Sequence, residues 1–203
     1  VIGCAIAREL SRNKLSICVL EKGPDVAAGT SKANSAIVHA GYDAVPGSNK
    51  AYLNIKGAEM YEELCRELDV PFIRNGSYVV SFSEEEYPKL EELLHRGEKN
   101  GVKGLQILTG DEVRRKNPHL SKEIKAALYA PSAGITCPYE LTVALAENAA
   151  ANGAKFRFGS EVAGIHRLPK GNFFIRLASG GAIEAKTVIN AAGVFSDDIN
   201  NMV

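Results

Sequence analysis

Chemistry at the front of the chain is suggested by a glycine and an acid. Val1-Ile2-Gly3-Cys4-Ala5-Ile6-Ala7 reads as the second half of a G-x-G-x-x-G turn. In such a turn two glycines let the backbone approach a pyrophosphate, and the third lets a helix pack closely on a strand. Gly3 stands where the third glycine belongs, with no strand and no Met before it. Glu21 follows at close to the ~20-residue spacing at which a carboxylate meets ribose hydroxyls. A carboxylate there accepts from the 2′- and 3′-hydroxyls and repels a 2′-phosphate, which disfavours NADP. The same residues also describe an ordinary helix–strand pair, and the pattern alone leaves both readings open.

Two more segments carry usable groups. The loop Thr30-Ser31-Lys32-Ala33-Asn34-Ser35 offers hydroxyls, an amide and backbone N–H donors, suited to a pyrophosphate and flavin ring edge, though on its own such a loop reads first as a polar connection. Asn190-Ala191-Ala192-Gly193 ends an apolar run in small residues, as needed where backbone lies against a bulky group or turns into a helix. His39, after Ile37-Val38, is the titratable residue of interest, whereas His95, His119 and His166 sit among Lys, Arg, Asn and Pro and read as surface. Cys4, Cys18, Cys65 and Cys137 form no C-x-x-C pair, and no metal-ligand spacing is present. Reduced, mostly buried thiols of a cytoplasmic protein are the expectation.

These groups need elements to position them. A short helix ending near Asn13 carries Ile2, Ala5, Ile6 and Leu10 on one face, and Ser16–Leu20 reads as a buried strand. Tyr61, Leu64, Cys65 and Leu68 predict a helix over 51–68, and 72–82 reads as strand, broken at Asn75-Gly76 into a hairpin or bulge. Ser83/Glu86 and Thr109/Glu112 each predict a capping box, and Pro138 opens a helix that stops at Gly153. Strands are expected at 126–130, 155–158, 162–168, 173–177 and 185–191. The 203 residues are 45% hydrophobic with 24 basic and 24 acidic side chains, which argues against a nucleic-acid surface. No apolar run approaches the ~18 residues that span a bilayer.

Three segments in order resemble the FAD-dependent oxidoreductases of the D-amino-acid oxidase superfamily: the half-turn through Ile17–Lys22, the stretch Thr30–Gly41, and Val188–Asp197. Pro138–Thr142 and Ser160–Val162 fall in family order as well. The similarity is best to the branch of flavin-dependent glycerol-3-phosphate dehydrogenases and L-2-hydroxyglutarate oxidases. The resemblance implies FAD as cofactor, held by Gly3, Glu21, Lys22, Thr30, Ser31, Asn34, Ser35, Val162, Ala192 and Gly193, with Val162 beside the adenine through its backbone. It implies that His39 faces the flavin ring, where a neutral imidazole can take a substrate hydroxyl proton. In some relatives a histidine at that position carries the flavin covalently. The implied substrate is a small anion such as glycerol 3-phosphate or a 2-hydroxy acid, with Lys32, Lys50 and Arg74 as the cations on hand.

The expected fold is α/β: a truncated FAD-binding Rossmann-like domain, lacking its first strand and C-terminal part, with an inserted α+β substrate domain. The expected division is 1–70 and 137–203 for the flavin domain and 71–136 for the insertion. A piece of this kind is expected to be inactive alone and to self-associate through exposed sheet edges. A peripheral membrane or electron-acceptor partner is expected only for the full-length protein. An amine or amino-acid oxidase of the same fold, or a non-catalytic nucleotide-binding module, stays open.

Overall fold

Short, small-residue segments dominate the front of the computed structural model, which describes residues 1–203. In chain order the elements begin α1 (Ile2–Ser11), β1 (Cys18–Leu20), β2 (Ile37–Val38), α2 (Asn49–Glu67), β3 (Phe72–Ile73) and β4 (Ser77–Ser81). They continue α3 (Tyr87–Asn100), β5 (Gln106–Thr109), α4 (Gly110–Lys116), β6 (Ala126–Ala130) and β7 (Gly134–Thr136). Last come α5 (Pro138–Ala151), β8 (Lys155–Arg157), β9 (Val162–Arg167), β10 (Phe173–Leu177), β11 (Ala182–Ala185) and α6 (Ser196–Asn200). No helix is long and apolar enough to cross a membrane.

The chain divides into two compact units, one made of Val1–Asn34 with Pro138–Val203 and the other of Ser35–Cys137. In the first, β1 pairs in parallel with β8, Val19 opposite Phe156. Helix α1 buries Ala7 against Ala149 of α5 and Ala154, flanked by Ile17, Val19 and Phe156. Small residues on both helices permit that close approach, and Ile2, expected on the buried face, is exposed while Cys4 is buried. Pro138 opens α5, its missing N–H costing nothing in the first turn. Gly153, at φ +94, follows the end of the helix. The antiparallel sheet β11-β10-β9 covers a cluster of Ile165, Ile175 and Leu177, into which Leu20 and Val162 also pack.

The second unit holds two three-stranded sheets, β2-β7-β3 and β4-β6-β5. Leu90 and Leu93 of α3 close over Leu128, and Val113 of α4 sits fully buried beside Leu108 and Ala127. The Thr109–Glu112 capping box forms as expected. The Ser83–Glu86 box does not: a 3-10 turn occupies Glu84–Glu86, Ser83 caps no helix, and the Glu86 carboxylate accepts from Phe82 N–H.

Two further expectations give way to the structure. The 72–82 strand is no hairpin: β3 pairs with β7 while β4 pairs with β6, so Asn75-Gly76 carries the chain from one sheet to another. Gly76 lies at φ +74 under the Tyr129 ring, where a Cβ would stand 2.6 Å away. The 185–191 strand is replaced by β11 at Ala182–Ala185, because Val188–Ala191 has no strand beside it to complete a ladder. The compact unit Ser35–Cys137 holds together through β2, which pairs with β7, and through Cys65 of α2, which meets Thr136 at 3.8 Å.

Candidate functional site

The start of α1 is a meeting point. A helix leaves its first-turn N–H groups without intrahelical partners, and here no side chain caps them and no acid stands in the first turn. The Val1 nitrogen lies 3.0 Å from Ser31 Oγ, which brings the 30–34 loop against the helix end. A Cβ added to Gly3 would stand 3.4 Å from Ala191 Cβ, so the 190–193 segment touches the same end. Glu21 is near as well. Burial pushes the Cys4 thiol pKa up, and the Glu21 carboxylate adds to that rise.

Each segment is braced locally. Glu21 leaves β1 with Oε1 accepting from Gly23 N–H at 2.8 Å, and its carbonyl accepts from Ser160 N–H at 2.9 Å. Val162 follows that contact, at the start of β9 opposite Leu177. Thr30–Lys32 forms a 3-10 turn, and Asn34 Nδ2 donates to the Ser31 carbonyl at 3.1 Å. Asn190 Oδ1 accepts from Ala192 N–H at 3.2 Å, and its Nδ2 donates to the Ser196 carbonyl at 2.7 Å. Gly193 sits at φ +59 in open space, so glycine there answers to the backbone and not to crowding. Phe195, unremarked in the sequence, receives the Lys22 ammonium 3.4 Å from its ring centroid. Lys22 is thereby committed to the 193–195 turn.

Within this unit the structure therefore joins Gly3, Glu21, Lys22, Ser31, Asn34, Val162, Ala192 and Gly193 through one set of neighbouring segments. Thr30 is exposed on the same 3-10 turn. Ser35 belongs to the other unit and is also exposed. The donor set suits a nucleotide pyrophosphate with its ribose: free helix N–H groups, loop hydroxyls, a carboxylate at a strand end and a turn with no side chain in the way.

The Ser35–Cys137 unit has a cavity of about 150 Å³. His39, Tyr42, Asp43, Lys50 and Asn54 line it. His39 is exposed just past β2, and its carbonyl accepts from Asn54 Nδ2 at 2.8 Å. Lys50 Nζ stands 3.6 Å from Asp43 Oδ2. Arg74 is occupied elsewhere: it donates to the Ser132 carbonyl at 2.7 Å and to Glu62 Oε2 at 3.0 Å, and lies over the Phe72 ring. Lys32 is exposed on its 3-10 turn.

Comparison with known proteins settles the family. The family model described as FAD dependent oxidoreductase matches residues 1–203. The chain belongs to the FAD-dependent oxidoreductase family. Among relatives of this oxidoreductase chain is a glycerol 3-phosphate dehydrogenase of Caloramator mitchellensis, 48% identical over 100% of the chain and 42% of the relative. A mitochondrial L-2-hydroxyglutarate dehydrogenase of Caenorhabditis elegans is 30% identical over 98% of the chain and 47% of the relative. The structure of L-alpha-glycerophosphate oxidase from Mycoplasma pneumoniae with FAD bound superposes with a TM-score of 0.93 at 29% identity, covering 100% of this chain and 54% of that one. The chain thus spans less than half the length of these two curated relatives.

Proposed function

We propose that the segments meeting at the α1 N-terminus hold the adenosine and pyrophosphate of FAD. The α1 N–H groups and Ser31 take the pyrophosphate, Glu21 takes the ribose hydroxyls, the backbone near Val162 borders the adenine, and the Ala192-Gly193 turn lets the dinucleotide pass. The observation that carries this reading is the double contact at the start of α1, with Ser31 on one side and Ala191 on the other. Glu21 also makes the site selective: a 2′-phosphate would bring a second anion against its carboxylate.

The reaction proposed for the enzyme is oxidation of a secondary hydroxyl in a small anion, such as glycerol 3-phosphate or a 2-hydroxy acid. The two curated relatives, a glycerol 3-phosphate dehydrogenase and an L-2-hydroxyglutarate dehydrogenase, support a hydroxy anion over an amine. Bound flavin supplies the hydride acceptor. His39 is proposed as the group that takes the hydroxyl proton; its ring is exposed at the wall of a cavity, and Asn54 fixes its backbone. Anaerobic mixing of the FAD-loaded enzyme with each candidate tests this reading. A 2-hydroxy acid or glycerol 3-phosphate is expected to bleach the flavin band, and His39→Asn to slow bleaching about 100-fold, the lower range for a lost general base. Bleaching by amino acids but by neither hydroxy anion would overturn the reading.

A further inference from the structure

The cavity beside His39 is a built feature. Four backbone carbonyls of the loop after β2 are pinned by side chains from two helices. Asn54 of α2 holds the carbonyl of His39. From α3, Asn100 holds those of Gly41 and Ala44 at 2.9 and 2.8 Å, and Arg96 holds that of Asp43 at 2.8 Å. Gly41, at φ +105, holds a backbone conformation that a residue with a Cβ rarely adopts. The loop is thus fixed in shape before any ligand arrives.

Its size and charge point to one kind of occupant. A cavity of about 150 Å³ has room for a phosphoryl head. Lys50 supplies a cation, and Asn54, His39 and Tyr42 supply polar groups around it. The first turn of α2, to which Lys50 belongs, holds no acid. Asp43 opposes an anion, yet its pair with Lys50 is long and both side chains are more than 70% exposed, so the pair is weak and opens readily.

We propose that this cavity is the anion subsite of the enzyme, taking a phosphoryl head with Lys50 as its cationic ligand and leaving the adjoining carbons to reach His39. The proposal rests on the substrate class given above and adds the residue that selects it. Asp43 then acts as a counter-ion that the incoming anion displaces.

The test is binding of inorganic phosphate, followed by ³¹P NMR, with FAD titrated separately on the same proteins. Loss of a charge-assisted contact is expected to weaken phosphate at least about tenfold in Lys50→Met, while Lys50→Arg stays within about threefold. Asp43→Asn is expected to tighten phosphate about two- to fivefold by freeing Lys50. All three variants should keep the parent melting profile and FAD affinity. Phosphate affinity unchanged in Lys50→Met, or weakened in Asp43→Asn, overturns the subsite and leaves the FAD reading standing. A Lys50-dependent phosphate site in a protein indifferent to FAD supports the anion site and overturns the flavin reading alone.

Discussion

Replacing Glu21 by Gln separates its two tasks. In the structure one carboxylate oxygen already accepts from Gly23 N–H, and a glutamine carbonyl can keep that bond, so the turn after β1 survives. What is lost is the negative charge offered to a ribose. Charge-assisted hydrogen bonds contribute about 1.5–3 kcal/mol against about 0.5–1.5 for neutral ones, so two hydroxyls together lose about 2–3 kcal/mol. Glu21 is only half-buried, and solvent screening reduces this to about 1–2 kcal/mol, or roughly 5- to 30-fold in FAD affinity. Flavin fluorescence quenching measures the affinity, and a melt of the unliganded variant verifies the fold. A second readout needs no ligand. Because the Glu21 charge helps to raise the Cys4 pKa, Glu21→Gln should lower it, seen as earlier thiolate absorbance on titration with base. FAD affinity within about twofold of the parent would refute the ribose assignment; an unmoved thiol titration would refute the placement of Glu21 beside α1.

Other perturbations follow from the folded geometry. Thr109→Ala removes a side chain that caps α4 and should cost about 1 kcal/mol in urea denaturation, whereas Ser83→Ala should change stability by less than about 0.5 kcal/mol. Equal losses would contradict the capping geometry. Stability should also fall in base. Burial is the leading cause that raises the Cys4 and Cys65 thiols above their ordinary 9.0, and it raises the Tyr61 phenol above 10.0. A group whose folded pKa lies above its unfolded one contributes stability present in full below the unfolded value and lost as pH climbs through the folded one. Urea midpoints should therefore drop between pH 8 and pH above 10, and less so in a Cys4→Ala/Cys65→Ala protein; a flat profile would speak against buried thiols.

Local signals in the sequence were reliable where one element decides the outcome. Helices α2 and α5, strands β6 and β10 and the α4 capping box were legible from apolar spacing, Pro138 and the Thr109/Glu112 pair. What failed depends on partners far along the chain. Nothing in residues 72–82 states that β3 and β4 belong to different sheets, since that is fixed by β7 and β6. The apolar run Val188–Ala191 has strand composition but no neighbouring strand, and composition cannot supply a ladder. At the candidate site the glycines, Glu21 and the polar loop were legible by type and spacing. Phe195 was not, because its role is to receive Lys22 across a turn. The pinning of the His39 loop by Asn54, Arg96 and Asn100 was equally hidden, each bond joining residues distant in sequence.

The central claim is that this chain carries the adenosine end of a flavin dinucleotide site. Thermal unfolding with FAD, ADP and FMN tests it most directly, since a ligand of the native state stabilises by about 2.7 kcal/mol at a hundred times its Kd. FAD and ADP, which share the adenosine and pyrophosphate, should both raise Tm, and FMN, which lacks the adenosine, should not. A rise with FMN alone, or no rise with either adenosine ligand at saturating concentration, would contradict the account.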